Sequence, residues 1–246
     1  MTEPTEAFTA NDLEVMSEAK NYGDWIFETL VRPHLGRRVL EVGCGIGTYS
    51  VKIAETPQVT ELTCVDIERR CVQQATEALR PFGRTRSIQC REGDYATVDV
   101  GRTRYDTIVC LNVLEHLTDD RAAAAKAYGE LAPGGRLVVF VPAFPMLSGS
   151  IDRRLGHFRR YTKPVARSVL EGAGFRVAAM RYYNVAGFFG WLVRFRFLQR
   201  EQQAAGQVKL FDRWVLPVQA AVEARLPWLP FGQSLYAVGI KDEAGA

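Results

Sequence analysis

The stretch "LEVGCGIGTYS", Leu40 to Ser50, decides how this 246-residue chain is read. A short apolar run ends in three glycines at alternate positions, Gly43, Gly45 and Gly47, with an acid, Glu41, just ahead of them. Glycine reaches positive φ without steric cost and lets a ligand approach the bare backbone. Such a run turns a strand sharply into a helix and can cradle a cofactor there. A phosphate loop is excluded, because G-x-x-x-x-G-K-[ST] needs a lysine that does not follow. A dinucleotide motif, G-x-G-x-x-G, fits Gly43 and Gly45 but meets Thr48 at its third position. A plain tight turn is the remaining reading of these residues taken alone.

Outward from the turn, strands and helices alternate. "RRVLEVG", "ELTCVDI", "TRSIQCREGD", "YDTIVCL" and "RLVVFVPA" read as strands. "TYSVKIAET", "ERRCVQQATEALRPFG" and "DDRAAAAKAYGELAPGG" read as the helices between them, stopped by proline and glycine. That alternation predicts a parallel sheet covered on both faces. A helical pattern from Asn11 closes at Pro33. After the fifth strand come a helix in "TKPVARSVLEGAGF", with Thr162 placed as its N-cap, a strand in "RVAAMRYYNV", an aromatic-rich helical stretch, and a last strand in "QSLYAVGIK".

Bulk composition narrows the class. Hydrophobic residues are 47% and charged residues 24% of the chain, ordinary for a globular protein. A net charge of +3 is too weak to point to nucleic acid. The acidic, polar start is no secretory signal, and no run reaches the length of a membrane span. Cys44, Cys64, Cys71, Cys90 and Cys110 have no C-x-x-C pairing and read as buried thiols. These features give the expectation of a cytoplasmic protein.

The pattern E-x-G-x-G-x-G resembles the first motif of class I S-adenosylmethionine-dependent methyltransferases. The resemblance continues in order through Asp66 in "LTCVDI", Asp94 in "REGDY", "CLNVLEHL" and "LAPGGRLVVFVP", from about Val39 to Phe140. It implies a Rossmann-like α/β fold: a mostly parallel seven-stranded sheet with helices on both faces and an antiparallel last strand. It also implies S-adenosyl-L-methionine as cofactor, S-adenosyl-L-homocysteine as product, and no metal. Under the resemblance, Gly43, Gly45 and Gly47 bind the cofactor, Glu41 reaches it directly or through one water or else organises the glycine-loop amides, and Asp66 binds the ribose hydroxyls beside Ile67. A carboxylate has acceptor sites for both hydroxyls of a cis-diol. Asp94 faces the adenine amino group with Tyr95 beside it, and Leu111 and Asn112 line the methionine half. His116 reads as structural more readily than catalytic. The histidines His34, His116 and His157 show no metal-ligand spacing.

Methyl transfer is an in-line displacement in which positioning does much of the work, and a base is needed only where the acceptor must lose a proton. The aspartate- or asparagine-Pro-Pro-aromatic stretch typical of enzymes acting on DNA, RNA or protein amide nitrogen is replaced here by "LNVLEHL". That directs the expectation to a small-molecule, natural-product or lipid- or glycan-linked acceptor and away from nucleic acid. Oxygen is the expected methyl acceptor atom, with nitrogen and carbon as alternatives. Rival readings are a protein that binds S-adenosylmethionine without catalysis and a nicotinamide-dependent oxidoreductase.

"SIDRRLGHFRRYTK", Ser150 to Lys163, follows the fifth strand, where this fold places its substrate mouth. Its functional reading is an acceptor site: His157 as base or orienter, Arg159 and Arg160 holding an anionic group, Tyr161 beside them. Its bland reading is a basic loop whose arginines pair with acids. "GHFRRY" and "GQVKLFDR" are also similar to stretches shared by a subgroup of bacterial methyltransferases. Tyr22, in a helix over the cofactor, reads as a contact to the methionine carboxylate or acceptor, or as core. The domain plan is an N-terminal cap over 1–34, a core over 35–185 and 233–241, and a helical insertion over 186–232. Three readings of the insertion stand: a lid over the acceptor, a homodimer contact, and a membrane-surface contact.

Overall fold

A computed structural model describes residues 19–101, 104–191, 211–226 and 228–243. Helix α1 (Lys20–Ile26) continues through a wide turn, Phe27–Val31, and a tight one, Arg32–His34, into strand β1 (Arg38–Val42). Pro33 sits in that last turn, where the helix closes. There follow α2 (Thr48–Glu55), β2 (Glu61–Asp66), α3 (Arg69–Leu79), β3 (Ser87–Glu92), β4 (Tyr105–Leu111), α4 (Asp120–Glu130) and β5 (Leu131–Pro142). The remaining elements are α5 (Ser150–Arg154), α6 (Lys163–Gly172), β6 (Arg176–Tyr183), α7 (Val185–Trp191), α8 (Leu216–Arg225) and β7 (Ser234–Ile240).

The seven strands form one sheet in the order β3-β2-β1-β4-β5-β7-β6. β7 runs antiparallel to both of its neighbours, and every other pairing is parallel. Central strands β1 and β4 are covered on both faces, so they read as nearly continuous runs of Val, Ile, Leu and Cys. α3 presents Cys71, Ala75 and Leu79 to the sheet, one turn apart. α4 packs closely through Ala123, Ala124 and Ala127, and the Asp119 carboxylate caps it by accepting the Ala122 amide at 2.9 Å. Thr162 does occupy the N-cap of α6, without a side-chain bond to that helix's amides.

Strand order reverses between β1 and β4. β2 and β3 continue to one side of that pair, β5 to the other, and the crevice outside the carboxyl ends of β1 and β4 is where such sheets bind ligands. The backbone concentrates its strain at this rim. The three non-glycine residues with positive φ among those described, Asn112 (53°), Phe144 (59°) and Asn184 (64°), follow the ends of β4, β5 and β6.

The chain between β6 and β7 leaves and re-enters at the same rim, because Tyr183 at the end of β6 pairs with Ser234 at the start of β7. Its returning helix is inverted. The buried Gln219 and Glu223 of α8 point inward and accept the amides of Ala186 (3.2 Å) and Val185 (2.8 Å), while Trp214, Val218 and Val222 are exposed. The Asp212 carboxylate accepts the amides of Asn21 (3.1 Å) and Tyr22 (2.8 Å), so the returning segment docks on the start of α1. Arg194, Arg196, Arg200, Phe195 and Phe197, on which the membrane-surface reading leaned, lie outside the described residues. Among those described, no helix is long and apolar enough to cross a membrane.

Gly239 in β7 faces the ring of Phe175, and a Cβ there would fall 2.9 Å from it. Both lie against the central sheet, so Gly239→Val should cost about 1–3 kcal/mol through overpacking. Thermal denaturation should register roughly 2–4 °C per kcal/mol for a chain of this size. An unchanged melt would mean that the sheet yields at this position.

Candidate functional site

The glycine turn closes the crevice on one side. Gly43, Gly45 and Gly47 take φ of 74°, 53° and 90°, all left-handed. The Gly43 and Cys44 amides both donate to the Val65 carbonyl, at 2.8 and 3.0 Å, tying the loop to the end of β2. A Cβ at Gly43 would lie 2.2 Å from Cγ2 of Val113, so this glycine is required by close approach as well as by φ. Gly47 is the N-cap of α2, and a Cβ there would meet the α3 backbone at Ala75 at 3.0 Å. This residue does the close packing that the third glycine of a dinucleotide motif does one position later.

Asp66 ends β2 facing the turn. Its Oδ2 accepts the Gly45 amide at 2.7 Å and its Oδ1 the Glu68 amide at 2.9 Å. Burial raises its pKa, and the two backbone amides work against that rise. Each oxygen has room for a further donor, which is what a ribose cis-diol needs. Ile67 next to it is 72% exposed, an apolar surface suited to a flat base. The residues present thus fit a nucleoside cofactor. Glu41 lies underneath: buried, it accepts from the Ser50 hydroxyl and from the Cys64 thiol at 3.7 Å. The loop amides are bonded elsewhere, so Glu41 is not what organises them; for Gly45 that part falls to Asp66. Burial pushes the Glu41 carboxyl up to about 8.

Asp94 is exposed, and its Oδ1 accepts the Ala96 amide at 2.9 Å in a local turn. Tyr95 corrects its expectation. Its side chain turns into the core, where the hydroxyl bonds Glu130 at 2.7 Å, leaving only backbone for a ligand. Leu111 is half-buried, and Asn112 is exposed with its amide donating to the Phe140 carbonyl at 2.7 Å.

"GHFRRY" is held to the protein more tightly than an acceptor loop requires. Buried Asp152 accepts Nε (2.7 Å) and Nη2 (3.2 Å) of Arg160, Nδ1 of His157 (2.9 Å) and the Gly149 amide (2.9 Å). Burial would raise the Asp152 carboxyl; the bonds from His157 and Arg160 outweigh that and hold it below the usual range. Arg160 also donates to the Ala143 carbonyl at 3.1 Å. Tyr161 is buried, its hydroxyl bonding Asp120 at 2.8 Å, and its backbone pairs with β5 through Ala143. Arg159 bonds Asp120 at 2.8 Å and the Thr118 carbonyl at 2.7 Å. The expectation that Arg160 and Tyr161 hold the acceptor is therefore corrected: both are buried and bonded within the protein. Arg159 is partly exposed but already paired.

His157 is different. With Nδ1 on Asp152, its ring stands edge-on to His116 at 4.7 Å, beside the buried Glu115. Sequence spacing alone gave no such cluster; the fold creates it, because Glu115 and His116 follow β4 while His157 follows β5. Glu115 sits inside the quoted "CLNVLEHL" and carries no spacing signal of its own. The other missed positions are Val113, which packs on Gly43, and Asp212, which anchors α1. Tyr22 is half-buried against Trp25, with Asn184 Nδ2 donating to its hydroxyl at 3.4 Å, and burial pushes the phenol up to about 12. On the other side, Phe144, Phe188, Phe189 and Phe231 form a chain of ring contacts between 5.4 and 5.6 Å, an aromatic wall along the rim.

Two measurements separate these roles. The raised Glu41 pKa means that the unfolded chain loses this proton first, so its stabilising contribution is complete below about pH 4.5 and is lost as pH rises towards 8. Glu41→Gln should remove that loss, and the melting temperature of the variant should gain on wild type between pH 5 and 9. A constant difference would mean that Glu41 is not a buried acid. Arg160→Met should cost about 3–5 kcal/mol by stranding Asp152. Arg159→Gln should cost less, about 1–2 kcal/mol, because this arginine is partly exposed and Asp120 keeps the Tyr161 hydroxyl. Equal melts for the two variants would contradict the contrast in burial.

Residues 40–137 match the family model of a methyltransferase domain. The chain is 31% identical over 102 residues to the ubiquinone biosynthesis O-methyltransferase of Idiomarina loihiensis, covering 42% of this chain and 41% of that one. It is 29% identical over 158 residues to a probable S-adenosylmethionine-dependent methyltransferase of Mycolicibacterium smegmatis, covering 62% and 57%. It thus spans less than two thirds of either relative. The fold is similar to that of the N-methyltransferase NodS from Bradyrhizobium japonicum, solved with S-adenosyl-L-homocysteine, with a TM-score of 0.57 at 19% identity, covering 91% of this chain and 87% of NodS. Family model, strand order and relatives agree on a methyltransferase domain, which the family model places over residues 40–137 of this chain.

Proposed function

We propose that this chain transfers a methyl group from S-adenosylmethionine to a small-molecule or lipid- or glycan-linked acceptor, at oxygen, in the crevice above β1, β4 and β5. The observation that carries the reading is Asp66: a half-buried carboxylate at the end of β2, holding the Gly45 amide at 2.7 Å with acceptor capacity to spare and an exposed Ile67 at its side. When bound, the cofactor supplies a methyl group on a sulfonium cation, an electrophile that needs no further activation.

The chain's own residues bind and orient. Asp66 takes the ribose hydroxyls, Ile67 covers one face of the adenine, and Asp94 accepts from its amino group. The bare backbone at Gly43 and Gly45 admits the methionine half next to Leu111 and Asn112. At the acceptor end, His157 is held by Asp152 through Nδ1 and keeps Nε2 for the acceptor side. The wall formed by Phe144, Phe188, Phe189 and Phe231 excludes water from that side and favours an apolar acceptor body. The segment between β6 and β7 is read as the acceptor wall, in preference to a dimer or membrane contact, because Phe188 packs on Phe144 at the rim itself. Oxygen is the acceptor atom named for the Idiomarina relative, and nitrogen the one named for NodS.

Asp66→Ala should weaken S-adenosylhomocysteine binding at least about tenfold in calorimetry, the loss of one charge-assisted hydrogen-bonding partner. NAD should give no heat in the wild-type chain. Intact cofactor affinity in the variant would remove Asp66 from the site, and tight NAD binding with none for S-adenosylhomocysteine would overturn the reading.

A further inference from the structure

Glu115 has no place in the account so far. It is 1% exposed, and neither carboxylate oxygen has a hydrogen-bond partner among the described residues. A buried carboxylate left without partners is costly, and native structures rarely leave one idle. It is not in the apolar core by accident of sequence: it sits in the tight turn Leu114–His116 that follows β4, on the crevice side of the sheet. Two imidazoles adjoin it. One ligand atom each from Glu115, His116 and His157 can be chosen so that all lie within 4.8 Å of one another.

One of the two histidines is already oriented from behind. His157 gives Nδ1 to the Asp152 carboxylate at 2.9 Å, and that carboxylate is itself fixed by Arg160. A ligating histidine characteristically spends its second nitrogen in this way, on a carboxylate or a backbone carbonyl, which fixes the tautomer and the ring.

We propose that Glu115, His116 and His157 form a binding site for one divalent first-row transition ion, of the zinc and cobalt type. Two imidazoles and one carboxylate are the donor set such ions take, with further positions open for water or a ligand oxygen. Glu115 supplies the buried negative charge, and the ion supplies the partner its oxygens lack. Both histidines are only partly buried, which leaves a path for entry. Bonds of about 2.0–2.2 Å set donors roughly 3.4 Å apart, so small side-chain rotations close the site. The open positions face the crevice rim between β4 and β5. Where methyl transfer is the activity, they would take an acceptor oxygen, and His157 would act through the ion. The site itself rests on side-chain geometry and stands or falls separately from the methyltransferase reading.

The test uses the full chain, freed of metal with chelator. Zinc chloride titrated by calorimetry should give one equivalent, and cobalt should give a visible d–d spectrum without thiolate charge-transfer bands. Glu115→Gln and His157→Ala, each checked for an unchanged fold by circular dichroism, should each lose at least about tenfold in zinc affinity, as loss of a direct ligand demands. His116→Ala is the substitute if Glu115→Gln fails to fold. No stoichiometric binding by the wild-type chain would overturn the site. So would equal affinity in the variants or a thiolate band, because the ion would then lie on the cysteines. S-adenosylhomocysteine affinity, measured on the same samples, reports on the cofactor site alone and keeps the two readings apart.

Discussion

The site depends first on a backbone constraint. Between Val42 and Thr48 the chain must leave β1, turn over the end of β2 and enter α2, and it does so through three left-handed residues at alternate positions. An L-side chain there carries a strain cost, and at Gly43 it also meets Val113 at 2.2 Å. The turn brings the Gly45 amide to Asp66, where with the Glu68 amide it fixes the carboxylate, while the Val65 carbonyl holds the Gly43 and Cys44 amides. Asp66 therefore organises the turn that it faces. The acid ahead of the glycines, Glu41, is buried under the loop and supports it from below through Ser50.

The opposite side of the crevice is held by charge. Asp152 gathers Arg160, His157 and the Gly149 amide, and the segment from His157 to Tyr161 lies along the end of β5 through the Ala143–Tyr161 pairing. Buried ion pairs contribute modestly to net stability but are expensive to break from one side. Their effect here is geometric: the ring of His157 is fixed beside His116 and Glu115. The left-handed Phe144 turns the chain between the two features and sends its own ring onto Tyr182 and Phe188.

Most of the fold is legible in the sequence, because its signals are local. Apolar runs ending in glycine or an acid mark the strands, and Pro33, Pro133 and Gly174 stand near helix ends. The alternate glycines and Asp66 are legible too, since each acts within one strand–turn–helix unit. The acceptor side is legible only as a concentration of basic residues. Which of them faces inward depends on partners far along the chain: Asp120 for Tyr161 and Arg159, Ala143 for Arg160. Glu115 escapes for the same reason. An acid in a short turn reads as solvated until the loop after β5 folds across it. Tyr95 fails because it lies in the turn after β3, where no strand or helix periodicity says which way a side chain points.

The excursion between β6 and β7 starts and finishes at two hydrogen-bonded positions, Tyr183 and Ser234, on the crevice side of the sheet. Its removal or exchange would leave every strand pairing in place. Loop closure across such adjacent ends costs only slowly more as the connection lengthens. The excursion is thereby uncoupled from the sheet: one excursion can be traded for another with the strand pairings and the glycine turn unaltered. One constraint on such exchange among the described residues is a carboxylate, because whatever replaces Asp212 must still receive the amides at the start of α1.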